Sequence, residues 1–182
     1  MKRLLATFSA VALAAALAAG PAFAALAVGD HAPDFSAQAS QGGKPFPFKL
    51  SDALKKGPVV VYFFPAAFTP GCTIEAHEFA DAAADYAALG ATLIGVTAGN
   101  IDRVTEFSTT ECRKKFPVAA DPNAAIAKTY KSELAIRPGL SDRTSYVIDP
   151  KGNVIFVHSD LKPDQHVTLT LAALKTWRAA HH

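Results

Sequence analysis

An α/β fold, in which helices flank both faces of a mixed central sheet, is predicted by three features of the sequence. Residues 59–64, Val-Val-Val-Tyr-Phe-Phe, are β-branched and aromatic with no polar alternation, the pattern of a central strand buried on both faces. From there to residue 130, strand-like and helix-like segments alternate, the order that builds a sheet covered by helices. Two further strand-like runs and a closing helix complete the chain.

Each element has a local reason. Residues 34–40 and 46–50 flank Gly42-Gly43 and predict an N-terminal β-hairpin. The pattern over 70–89 is helical, with Ile74, Ala80, Ala83 and Ala87 as its apolar positions and Gly90 to stop it. A strand over 91–96 follows. The next helix is predicted to be capped by Asn100, to carry Asp102 in its first turn and to reach residue 116, with Thr109 and Thr110 weakening its middle. A short strand over 117–120, a short helix over 123–130 and a loop over 134–142 come next, the loop turning at Arg137-Pro138-Gly139. Strands over 144–148 and 154–158 are joined through 149–153, and a helix over 163–179 ends the chain.

The chain has 182 residues. Residues 1–24 read as a cleaved secretory leader: Met1-Lys2-Arg3 supplies charge, 4–19 is apolar apart from Thr7 and Ser9, and Gly20-Pro21 precedes an Ala22-Phe23-Ala24 cleavage site. As a membrane anchor the apolar run is short, since it rises only about 24 Å against a hydrocarbon core of roughly 30 Å. Export, most simply to a periplasm, and a single domain over 25–182 are therefore expected, in a compartment that permits disulfides and with no stable membrane association after cleavage. Both leader charges are basic, so the net charge of +2 falls to zero in the mature chain, which argues against a nucleic-acid partner. Two cysteines with no CxxC pair exclude a disulfide-rich scaffold, and His31, His158 and His166 lack ligand spacing, so no metal site is expected.

The chemistry concentrates where the buried strand ends. Phe64-Pro65-Ala66-Ala67-Phe68-Thr69-Pro70-Gly71-Cys72 leaves it, turns, and starts a helix at the cysteine. Unpaired N–H groups and the helix dipole favour a thiolate there, and loops at strand C-termini in α/β sheets are where ligands bind. A lone cysteine is more often inert filling, but this strand–turn–helix setting argues for a nucleophile.

Pro65, Thr69 and Cys72 match the Pro-x-x-x-Thr-x-x-Cys signature of the peroxiredoxins, and Cys72-Thr73-Ile74-Glu75-Ala76 resembles the bacterioferritin-comigratory, Q-type subfamily. Ala32-Pro33-Asp34-Phe35, the Asp121 region and 143–152, Arg-Thr-Ser-Tyr-Val-Ile-Asp-Pro-Lys-Gly, extend the resemblance over nearly all of the mature chain. It implies a thioredoxin-like fold and a peroxidase that reduces hydrogen peroxide and small organic hydroperoxides, with no bound cofactor and with a thioredoxin-like or other dithiol reductant. A monomer is expected.

Peroxide chemistry needs a thiolate and donors to the departing oxygen. The Thr69 hydroxyl and the Arg143 guanidinium can supply the donors, and Pro65 shields the site from water; Thr69 could equally cap its helix, and Arg137 competes with Arg143. Glu75 lies on the Cys72 face of the helix and either anchors Arg143 or serves as a first-turn acid. His77 points away from Cys72 and is a poor general base. It stands where many relatives carry a resolving cysteine, which leaves Cys112 as the candidate resolving cysteine, expected late in the helix that follows the next strand. A one-cysteine cycle, a thiol or copper carrier of thioredoxin fold, and a holdase are the competing readings.

Overall fold

In the computed structural model, which describes residues 25–181, seven strands form one sheet. They are β1 (Ser36–Gln41), β2 (Lys44–Lys49), β3 (Val59–Ala66), β4 (Thr92–Gly99), β5 (Val118–Ala120), β6 (Thr144–Ile148) and β7 (Val154–Ser159), in the order β2-β1-β5-β4-β3-β6-β7. The helices are α1 (Leu50–Leu54), α2 (Pro70–Asp81), α3 (Ala83–Ala88), α4 (Val104–Thr110), α5 (Ala125–Thr129) and α6 (His166–Ala180). The leader and its cleavage site lie outside the described residues.

β3 lies inside the sheet, parallel to β4 and antiparallel to β6. Its side chains alternate between two cores, as the pleat requires. Val59, Val61 and Phe63 pack with Leu50 and Ala53 of α1 and with Ala127 and Tyr130 at α5. Val60, Tyr62 and Phe64 pack on the opposite face with α2, α4 and α6, through residues including Phe79, Phe107 and Leu174. The sheet is thus mixed and covered on both faces, with the β1–β2 hairpin at one edge, as the sequence predicts.

Three expectations are corrected. α1 has no counterpart in the sequence reading, being one turn long with only Leu50 and Ala53 buried. The helix expected over 70–89 is two helices that break at Ala82, and Gly90, at φ +66°, ends the second. The buried stripe of α2 is Cys72, Glu75, Ala76, Phe79 and Ala80, whereas Ile74 is half exposed and Ala87 is exposed. The helix expected to run from Asn100 to residue 116 is a 3₁₀ turn at Ile101–Arg103 followed by α4, which stops at Thr110. Arg113 and Lys114 are left-handed, at φ 49° and 63°, a conformation that no helix of L-residues can continue through.

Antiparallel pairing of β6 with β3 places the start of β6 beside the end of β3, with Thr144 opposite Phe63. Parallel pairing of β4 brings Gly99 opposite Ala66 at the same end. Three segments distant in sequence therefore meet at one end of the central strands, and the cysteine loop lies there.

Candidate active site

The loop from β3 to α2 is held by backbone and side-chain bonds that preserve its shape. Ala67 N–H donates to the Gly99 carbonyl at 3.2 Å, and the Asn100 amide donates to the Ala67 carbonyl at 2.7 Å. Asn100 was expected as a helix cap; it is left-handed, makes no cap bond, and instead ties β4 to the cysteine loop. Phe68 is also left-handed, and Arg103 lies over its ring at 3.8 Å, a cation–π contact that holds the turn from outside. Pro65 sits near the end of β3, half buried. Thr69 occupies the N-cap position of α2, yet its hydroxyl donates to the Ala66 carbonyl at 3.1 Å and reaches no helix N–H.

Cys72 lies in the first turn of α2 and is 1% exposed. Arg143, which immediately precedes β6, is 5% exposed and spends its guanidinium in three directions. Its Nη2 donates to Cys72 Sγ at 3.5 Å, its Nε donates to the Leu161 carbonyl at 2.8 Å, and its Nη1 donates to Glu75 Oε2. The planar fork suits this: one end points at sulfur while the other two donors fix its orientation. A Cβ on Gly71 would come within 3.2 Å of Nη2, so the glycine permits the close approach. Arg137 is exposed on its loop.

Of the two roles open to Glu75, contact with Arg143 is the one observed. Burial pushes its carboxyl from the ordinary 4.5 to about 8, although Arg143 pulls it down. The guanidinium's own proton is held more tightly than usual, the charges of Glu75 and Cys72 outweighing burial. Tyr62, stacked on Phe79 at 4.2 Å, keeps a hydroxyl that is buried without a hydrogen-bond partner, and burial pushes its pKa well above the ordinary 10.

Cys112 is fully buried in the same core as Cys72, and both are free thiols. It was expected late in a helix but lies two residues past the end of α4, its N–H bonded to the Phe107 carbonyl at 3.0 Å. Burial, with Glu111 adding, pushes its thiol pKa well above the ordinary 9. Two side-chain contacts tie this segment to α2: His77 Nε2 lies 2.8 Å from Glu111 Oε2, and Arg113 pairs with Asp81 at 2.5 Å. His77 therefore has a partner on the Cys112 turn and none at Cys72.

Two buried neighbours of Glu75 escaped the sequence. His166 and Ser145 lie buried behind Glu75, His166 Nδ1 being 2.8 Å from Ser145 Oγ and 3.7 Å from Glu75 Oε1. His158, which has no sequence spacing to His166, stacks edge-on against it at 4.6 Å. A lone histidine at a helix start carries no local signal of such a role.

Comparison with known proteins agrees with this geometry. Residues 28–157 match the AhpC/TSA family. The chain is 32% identical to the chloroplastic peroxiredoxin Q of Populus jackii, covering 85% of this chain and 70% of that one. The crystal structure of the peroxidoxin BcpB from Mycobacterium tuberculosis superposes with a TM-score of 0.73 at 32% identity, over 82% of this chain and 96% of that one. The AhpC of the same organism shares the fold, with a TM-score of 0.75 at 20% identity over 87% and 96% of the two chains. The thioredoxin-like architecture, a cysteine at the helix start and sequence similarity over most of the described residues lead to one assignment: the chain belongs to the AhpC/TSA family, alongside the Q-type peroxiredoxins, and is a thiol peroxidase.

Proposed function

We propose that the protein is exported and reduces hydrogen peroxide and small organic hydroperoxides, with Cys72 as the attacking thiolate, Cys112 as the resolving thiol and a thioredoxin-type dithiol protein as reductant. The observation that carries this reading is the Arg143 Nη2 donor on Cys72 Sγ at 3.5 Å, at a helix start and out of bulk water. A fixed cation there favours the thiolate and is placed to stabilise negative charge on the departing oxygen. The Cys72 sulfur takes the terminal oxygen of the hydroperoxide, breaking the O–O bond and leaving an alkoxide or hydroxide that departs as the alcohol or water after taking up a proton. Cys112 then displaces hydroxide from the Cys72 sulfenic acid, giving a disulfide and water, and the external dithiol restores both thiols by exchange.

Pro65 limits water at the sulfur, and Thr69 shapes the loop through its bond to Ala66. Export is supported by the charged start, apolar run and Ala-Phe-Ala site in residues 1–24. The raised thiol pKa and complete burial of Cys112 favour a second reading, a one-cysteine cycle recycled by an external thiol, unless its turn opens.

One experiment separates them: mass measurement after one equivalent of peroxide, with the modified residue located. Loss of two hydrogens in a monomer-sized species supports the intramolecular disulfide. A stable gain of one oxygen on Cys72, with Cys112→Ser turning over at the wild-type rate, establishes the one-cysteine cycle. No modification of Cys72 overturns both.

A further inference from the structure

Arg143 can serve Cys72 only while its guanidinium plane is held, and a thiol sulfur is the weakest acceptor around it, so Glu75 and the Leu161 carbonyl set the plane. Leu161 lies in residues 160–165, the connection from β7 to α6, and its own side chain is 53% exposed. A carbonyl on such an exposed connection is not held by packing. Hydrogen bonds hold it instead. The Asp160 N–H donates to the Arg143 carbonyl at 3.2 Å, and the Lys162 N–H donates to Asp160 Oδ1 at 2.9 Å, which turns the chain around Leu161. His166, the first residue of α6 and 0% exposed, places Nε2 3.0 Å from the Asp160 carbonyl. A carbonyl only accepts, so Nε2–H is the donor, and Nδ1 of the neutral ring accepts from the Ser145 hydroxyl at 2.8 Å.

We infer that Ser145 and His166 bracket the start of this connection, so that the Leu161 carbonyl stays seated against Arg143 Nε, and that His166 is thereby a positioning residue for peroxide reduction. The inference rests on Cys72 being the attacking thiol and Arg143 its donor. Ser145 stands two residues past Arg143 on β6 and is itself 0% exposed, so the ring is anchored to the strand that continues from the arginine's own main chain. From that anchor it fixes Asp160, one residue before the carbonyl that accepts the Nε–H. Both ring nitrogens are spent on this bracket. With the Leu161 acceptor displaced, Glu75 is the remaining strong partner, and the guanidinium can turn about its Nη1 contact and carry Nη2 off the sulfur.

Two variants separate the ring nitrogens. The His166→Gln amide nitrogen reaches the Nε2 position and keeps a donor to Asp160, whereas the shorter His166→Asn amide ends near the Nδ1 position, keeps Ser145 and loses Asp160. Hydrogen peroxide consumption at saturating reductant and iodoacetamide labelling of Cys72 are measured for each. The Asn variant should be about tenfold slower than wild type in both, and the Gln variant within about threefold, because the donor to sulfur is misdirected rather than removed. In an Arg143→Lys background, which has no Nε–H to seat, the Asn substitution should cost less than about twofold more. A Gln variant as slow as the Asn variant, an Asn variant that matches wild type, or a full Asn penalty on top of Arg143→Lys overturns the proposal.

Wild-type protein gives a check independent of folding in the variants. In ¹⁵N spectra His166 should carry its hydrogen on Nε2, and the Arg143 Nε–H should be protected from exchange with water; a hydrogen on Nδ1 alone, or a freely exchanging Nε–H, overturns the proposal. Cys72→Ser marks the boundary with the broader reading. If that variant still consumes peroxide, the role of Cys72 falls and the bracket's role with it; if it is inactive while the Asn variant matches wild type, only the bracket's role falls.

Discussion

Replacing Glu75 by Gln should flatten the dependence of stability on pH in the range just above neutrality. Glu75 titrates at about 8 in the folded protein against an ordinary 4.5, so over that interval the folded chain keeps a proton that the unfolded chain has released. The sign follows: its contribution is whole below about pH 4.5 and is lost as pH rises through 8. His166, at about 4 folded against 6.5, acts oppositely, its contribution being present above 6.5 and lost as pH falls through 4. The two slopes cancel between about pH 4.5 and 6.5, and only Glu75 remains above that. One proton corresponds to about 1.4 kcal/mol per pH unit, so wild type should lose about 2 kcal/mol between pH 6.5 and 8 through this group. Urea unfolding at pH 6.5, 7.25 and 8 measures it, and the Gln variant provides the reference in which the other titrating groups are retained. Parallel curves for the two proteins would mean that Glu75 is ionised in the folded state at neutral pH, and the burial argument would be refuted.

Arg143→Lys keeps a charge but cannot address sulfur, carboxylate and carbonyl together; peroxide consumption at saturating reductant should fall about 10²–10³-fold, and a value within twofold of wild type would remove Arg143 from the chemistry. Gly99→Ala would place a Cβ 2.5 Å from Ala66 Cβ and 2.6 Å from the Pro65 carbonyl oxygen, displacing the strand where it enters the cysteine loop. Overpacking of this kind costs about 1–3 kcal/mol, and both melting temperature and turnover should drop; unchanged turnover would show that the loop tolerates the shift. Oxidation by peroxide should speed hydrogen exchange across 109–115, because a Cys72–Cys112 bond takes the buried Cys112 thiol out of its packing and pulls on the turn that carries it; unchanged exchange in disulfide-bonded protein would exclude this opening.

How much of this was legible in the sequence depends on whether a residue's role is written in its neighbours. β3 was readable because six consecutive apolar residues satisfy two cores at once, and Cys72 because a strand, a Pro-Gly turn and a helix start are all local. Arg143 was placed through its family resemblance, and the geometry gives the reason: antiparallel pairing of β6 carries it to the end of β3. Hydrophobicity favours burying Ile74 on α2, whereas the buried position is taken by Glu75, whose carboxyl group is held by Arg143. The break at Ala82 falls in an alanine-rich stretch with no glycine or proline to announce it. The end of α4 is marked by Arg113 and Lys114, residue types that give no warning of a left-handed backbone. His166 reaches its place only through the packing of α6 on β6 and β7, which no local pattern encodes.

The division of the interior by the sheet has a consequence for how such a sequence can drift. Both cysteines and Tyr62 belong to the layer that also holds Phe79 and Phe107, while Val59, Val61, Phe63 and Tyr130 belong to the other. A conservative exchange among Val59, Val61 and Phe63 is felt as packing, with no thiol among the buried residues of that layer. In the first layer the same exchange also alters the surroundings of both thiols. Successive residues of a single strand therefore answer to different physical demands, one set to packing and the other to packing and thiol chemistry together.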